Sequence, residues 1–113
     1  MTALRSTVDA ADPAFVDNAS TMTEKLAGLE AEFAKALAGG GEKYVERHHK
    51  RGKLLARERI ELLIDRDTAF LELCPLAAYG SDFAVGASMV VGIGVVSGVE
   101  CMVIAHDPTV RGG

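Results

Sequence analysis

No apolar run approaches the roughly eighteen residues that a membrane-spanning helix needs, so none is expected in this 113-residue chain. An excess of positive charge is also missing. The net charge is −4, which argues against a general nucleic-acid binder, because phosphate contacts need a cationic field. Cysteine is sparse: Cys74 and Cys101 stand alone, with no Cys or His nearby at zinc-like spacing. No metal site is expected, and both are read as buried free thiols in a reducing compartment. Arg5 is followed by Asp9 and Asp12 with no apolar core segment, so no secretory signal is expected and the cytoplasm is the expected location. Internal repeats and low-complexity tracts are absent. Gly92-Ile93-Gly94 is not followed by a helical pattern, so it is no dinucleotide fingerprint.

What is there is concentrated in one stretch. Seven of the twelve Lys and Arg lie between Lys43 and Arg59. Before it, Asp12-Pro13 reads as a helix start, with Asp as cap and Pro at the first helical position. A second start has capping-box spacing at Thr21–Glu24. The helix therefore runs from about 13 to 38 or begins near 21. Met22, Leu26, Leu29, Phe33 and Leu37 form one apolar stripe along it, as for a helix docking on a partner surface. Gly39-Gly40-Gly41 ends it, since glycine accepts the left-handed conformation of a helix C-cap. A short polar helix is expected over Glu42–Arg51, with Gly52 as its stop. A third follows over Leu55–Ile64, with Leu55, Ile60, Leu63 and Ile64 inward.

Phe70–Leu73 alternates like a short strand that Pro75 limits, and Tyr79–Gly86 reads as a loop. Met89–Val96 and Val99–Ala105 are the two clearest strands, with Ser97-Gly98 as a two-residue hairpin turn. Both faces of this hairpin are apolar, so it is expected inside a sheet covered on both sides. Gly92 and Gly94 leave one face bare, which suggests close approach of another backbone. The chain stops just after this apolar region and reads as if cut in the middle of a domain.

For chemistry, adjacent His48 and His49 point about 100° apart on a helix, so they read as a solvated pair rather than metal ligands. His106-Asp107 follows a strand, a place where sites often lie, but no Ser or Cys nucleophile pairs with it in sequence. Arg111-Gly112-Gly113 would let backbone come close to a bound group and offer N–H groups to a polarised carbonyl. The cluster Lys50, Arg51, Lys53, Arg57 and Arg59 could meet phosphates, though a solvated face interleaved with Glu58 and Glu61 is the commoner meaning of such a pattern.

Several strings together carry a resemblance: GGGEK at Gly39–Lys43, RGKLLARERIELLID at Arg51–Asp65, FLEL at Phe70–Leu73, VVGIGVVSGVECMVIAHDPTV at Val90–Val110 and RGG at Arg111–Gly113. From about residue 12 onward the chain resembles the N-terminal part of the β (carboxyltransferase) subunit of biotin-dependent acyl-CoA carboxylases, most closely the methylcrotonyl-CoA branch. The resemblance implies an α/β fold in which N-terminal helices lead into the start of a crotonase-like ββα carboxyltransferase domain, incomplete here. The implied division is a loose terminus over 1–11, a helical lead-in over 12–65 and the beginning of that domain over 66–113.

By the same resemblance, carboxyl passes from carboxybiotin to an acyl-CoA enolate held by backbone N–H groups. No cofactor is bound directly, since carboxybiotin comes from a biotin-carrying α subunit. The β subunits form a hexameric homo-oligomer, with neither nucleic acid nor membrane as partner. Arg111, Gly112, Gly113, Lys53 and Arg57 are the expected acyl-CoA-binding residues, and no catalytic residue is assigned. His106 stands where many relatives have Asn, so it is given no role. Leu55 and Ala56 lie where several relatives carry a capping Thr or a Pro, so the third helix is expected to fray at its start. The rival readings are a carboxylase for propionyl-, acetyl- or geranyl-CoA, a non-catalytic interaction module and a small anion- or nucleic-acid-binding module.

Overall fold

The computed structural model describes Ala3 and residues 5–113. Three helices precede three strands: α1 (Pro13–Leu37), α2 (Glu42–Lys50), α3 (Ala56–Leu63), β1 (Leu71–Leu73), β2 (Met89–Val96) and β3 (Val99–His106). Residues up to Ala31 form one compact unit and Glu32–Gly113 another. No helix among the described residues is long and apolar enough to cross a membrane.

Of the two candidate starts for α1, the earlier is used. The Asp12 carboxylate accepts the Ala14 N–H at 2.7 Å, satisfying a donor that the helix itself leaves open. The Thr23 hydroxyl instead donates to the Ala19 carbonyl one turn back, so it sits inside the helix and caps nothing. α1 buries none of its residues, and Met22, Leu26, Leu29 and Leu37 of the stripe are exposed.

The strands form an antiparallel sheet in the order β1-β2-β3. The hairpin turn is where the sequence puts it. Ser97 and Gly98 both have positive φ, 51° and 78°, the backbone that matches strand twist in a two-residue turn. Asp65 fixes that turn from outside. Its carboxylate oxygens accept the Ser97 N–H at 2.8 Å and the Gly98 N–H at 2.7 Å, and its own N–H donates to the Val95 carbonyl. The end of the third helix is thereby tied to the hairpin tip.

The core lies between α3 and one face of the sheet. Ala56, Ile60 and Val90 are buried, with Ile64, Phe70, Val103 and Ala105 packed around them. The inward face of α3 thus runs through 56, 60 and 64 at helical spacing. Leu63, expected inside, is exposed and Ala56 takes the buried place. The close backbone approach expected here is made at Gly92 by the Leu71 carbonyl, and the Phe70 ring and Ile64 side chain also fill the space beside Gly92 and Gly94. A Cβ on Gly92 would lie 2.3 Å from Phe70 Cζ, and one on Gly94 would lie 2.9 Å from Ile64 Cγ2. Phe70 therefore lies outside the strand, as the plug beneath it.

Cover on both faces is not found among the described residues. α3 takes one face, while Leu71, Met102 and Ile104 on the other are more than half exposed. The cysteines also differ from expectation. Both are free thiols, but Cys74 is exposed in the turn that ends β1, and Cys101 is half-buried, paired with Gly94 towards the hairpin tip.

Candidate functional site

The glycine triplet and the turn after β3 build one end of the site. Thr109 is buried. Its hydroxyl donates to Asp107 Oδ1 at 2.5 Å and accepts the Gly40 N–H at 3.0 Å, while its own N–H donates to the same carboxylate oxygen at 2.8 Å. The approach is too close for any side chain: a Cβ on Gly40 would fall 1.9 Å from the Thr109 carbonyl oxygen. Gly39-Gly40 is therefore a docking seam against Asp107 and Thr109 as well as part of a helix stop.

This seam brings the basic face of α2 to the last residues of the chain. Tyr44, Arg47 and Arg51 are spaced by three and four, so they share one face of the helix. The Arg47 guanidinium lies 4.9 Å from the Tyr44 ring centroid, a stacking distance for a cation on an aromatic face. With Thr109, Arg111 and Gly112 these three line an open hollow of about 670 Å³. Lys53 adjoins it, beside Arg51 and Pro108. Three guanidiniums around one hollow attract an anion, and arginine suits phosphate because its donors are planar and forked.

Arg111, Gly112 and Gly113 have successive positive φ values of 50°, 84° and 96°. The Gly113 N–H already donates to the Val110 carbonyl at 2.9 Å, so it is not available to a ligand as expected. Among the described residues, no backbone or side-chain acceptor takes the Arg111 or Gly112 N–H.

Of the expected binding residues, Arg111, Gly112 and Lys53 are brought to this surface. Arg57 is not. Its guanidinium is occupied by both carboxylate oxygens of Glu72, with Nη2 to Oε1 at 2.8 Å and Nη1 bonded to Oε2, so it pins α3 to β1. Arg47 and Tyr44 were missed; their three-residue spacing, continued to Arg51, was the available signal. His106 is exposed at the end of β3. No cluster of His, Cys, Asp and Glu that could hold a metal exists among the described residues.

The third helix begins without the expected fraying. Leu55 has no side-chain acceptor, but Glu58 reaches back and its Oε2 accepts the Leu55 N–H at 2.7 Å. The same carboxylate meets His49 Nε2 at 3.0 Å through both oxygens. These contacts, the Leu55 N–H first and His49 next, hold the Glu58 carboxyl below the usual carboxylate range.

Residues 47–113 match the carboxyl transferase domain. The chain is 64% identical, over 97% of its length and 21% of the relative's, to a probable biotin-dependent acyl-coenzyme A carboxylase beta2 subunit of Mycobacterium tuberculosis. It is 45% identical, over 97% of its length and 20% of the relative's, to a probable mitochondrial methylcrotonoyl-CoA carboxylase beta chain of Drosophila melanogaster. The crystal structure of the geranyl-CoA carboxylase beta subunit of P. aeruginosa superposes with a TM-score of 0.83 at 35% identity, covering 99% of this chain and 21% of that one. The mixed helix–strand architecture is thus that of a carboxyltransferase subunit, over about a fifth of the length of the relatives it matches. By its sequence and its fold, the chain belongs to the carboxyl transferase domain family.

Proposed function

We propose that this chain serves a biotin-dependent carboxyltransferase, and that the basic hollow receives the phosphate end of an acyl-CoA. The observation that carries the proposal is the convergence of Arg47, Arg51 and Arg111 with Lys53 beside the turn that follows β3. Coenzyme A carries its charge at one end and its thioester at the other. A site with cations beside a short backbone loop suits the first part and leaves the second to run on towards the chemistry.

The proposed reaction moves a carboxyl group from carboxybiotin to the acyl-CoA. The enolate carbon forms a bond to the carboxyl carbon as the bond from that carbon to the biotin nitrogen breaks. The proton lost from the acyl-CoA replaces the carboxyl group on biotin. Donors already aimed at an enolate oxygen stabilise it without reorganisation; the thioester would run on from the hollow towards such donors, while the Arg111 and Gly112 N–H groups, which no acceptor takes among the described residues, would border the phosphate end. Carboxybiotin would arrive on an α subunit, and the β chains would assemble as a homo-oligomer, in the cytoplasm. In this reading residues 12–65 serve as a helical lead-in and 66–113 as the start of the carboxyltransferase domain, the domain match reaching back into the lead-in as far as residue 47.

Among acyl groups, methylcrotonyl-CoA is favoured, supported by the 45% identity to a methylcrotonoyl-CoA carboxylase chain. Two measurements test the proposal. Arg51→Ala and Arg111→Ala should each weaken coenzyme A binding by about tenfold, the equivalent of one lost charge-assisted hydrogen bond. Unchanged affinity in both would overturn the assignment of the hollow. Carboxylation assays of the complete carboxyltransferase with its biotin partner, on methylcrotonyl-, propionyl-, acetyl- and geranyl-CoA, decide the acyl group.

A further inference from the structure

Among the described residues α2 packs on no other helix or strand, and none of its residues is buried. Yet it presents Tyr44, Arg47 and Arg51 to the hollow. Something other than a hydrophobic interface must hold that face in place. The seam at Gly40 holds the start of the helix, and two adjacent histidines hold its C-terminal end. His49 Nε2 sits 3.0 Å from both oxygens of Glu58 on α3, and His48 Nε2 meets the Leu54 carbonyl at 3.2 Å. The loop between the helices hangs from the same two residues through its backbone: the Arg51 and Lys53 N–H groups donate to the His48 carbonyl, and the Gly52 N–H to that of His49. Glu58 closes the arrangement by also accepting the Leu55 N–H.

We infer that His49 and Glu58 are positioning residues for the anion-binding face, a clasp that sets the rotation of α2 and the path of the loop carrying Lys53. They touch no ligand themselves. The inference rests on the proposed role of the hollow and adds the device that aims it. Adjacent histidines on a helix cannot converge on one ion, but pointing apart is what a clasp needs: one grips the loop and the other grips the next helix.

Glu58 gives the inference a test with a sign. It is an anion close to a cationic site, so by its field alone Glu58→Ala should tighten binding of coenzyme A. As a positioning residue its removal should weaken binding. In the carboxyltransferase chain carrying this segment, calorimetric titration with coenzyme A should show Glu58→Ala and His49→Ala weakening affinity by about two- to fivefold, the scale of a lost exposed ion pair. His49→Gln keeps a donor towards Glu58 and should retain most of the affinity. In turnover assays the same variants should raise KM and leave kcat unchanged. Both side chains are more than a third exposed, so the variants should fold, and thermal melts verify it. Tighter or unchanged binding in Glu58→Ala, with Arg51→Ala still weakening it, overturns the clasp and leaves the hollow standing. No effect of Arg51→Ala or Arg111→Ala overturns the hollow, and the clasp with it.

Discussion

Gly28 and Gly40 are the same residue with opposite meanings. Gly28 lies inside α1, and a Cβ built there meets nothing within 4 Å. Gly28→Ala should raise stability by about 0.5–1 kcal/mol, the helix-propensity difference between the two residues. Gly40 faces the Thr109 carbonyl at a distance no Cβ tolerates, and its N–H holds the Thr109 hydroxyl. Gly40→Ala should cost about 3 kcal/mol, as overpacking does, and should also displace the turn that carries Arg111. Urea denaturation of the two variants gives the signs directly. The difference shows what the sequence could convey at this scale. A glycine triplet after a helical stripe announces a helix stop, and it is one. That it is also a seam depends on Thr109, 69 positions away, and no local pattern encodes such a partner. Arg57 is lost to sequence reasoning in the same way. Its place in a basic run suggested phosphate, but its partner is Glu72 on a later strand.

At the scale of elements, periodicity was a good guide to where each one lies. The span of β2 and the two-residue turn follow from alternation and turn chemistry, while of the two starts that the sequence offers for α1 the one capped by Asp12 is used. Helix α3 was less legible, because its start is held by a residue inside the helix rather than before it. Glu58 makes a pH prediction there. Its carboxyl is held below the usual carboxylate range by the Leu55 N–H and His49. A group whose pKa is depressed on folding contributes stability that is fully present above its unfolded pKa and is lost as pH falls through its folded value. Wild type and Glu58→Gln should therefore differ in melting temperature at neutral pH and converge on the acid side of the carboxylate range. A gap that stays constant through that range and on its acid side would refute it. Asp65 is the matching device at the other end of the element, where its two carboxylate oxygens hold the hairpin turn. Asp65→Asn sets an amide nitrogen against one of those N–H groups, and should cost about 1–3 kcal/mol in a urea titration.

For the molecule as a whole, the sheet decides the behaviour in solution. One face is filled by α3, Phe70 and Ile64 around Val90. The other has Leu71, Ile93 and Met102 in one cross-strand row and Ile104 beside it, all exposed. The sequence showed that both faces were apolar, but alternation alone carries no information on how many helices the chain supplies to cover them. Contiguous exposed apolar surface of this kind drives association, and β3, an edge strand with no partner on its outer side among the described residues, can template pairing with another copy. The 113-residue chain on its own should therefore self-associate at micromolar concentration. Substituting Met102 and Ile104 by Lys places charge on that face and on the free edge, while leaving the α3-facing residues Val103 and Ala105 untouched. Sedimentation velocity should show the doubly substituted chain shifting towards monomer, with little change in its helical circular dichroism. A wild-type chain that sediments as a single monomeric species across the same concentrations would show that this face does not drive association. Persistent association of the Lys variant would place the contact elsewhere, and the exposed stripe of Met22, Leu26 and Leu29 on α1 would be the next surface to charge.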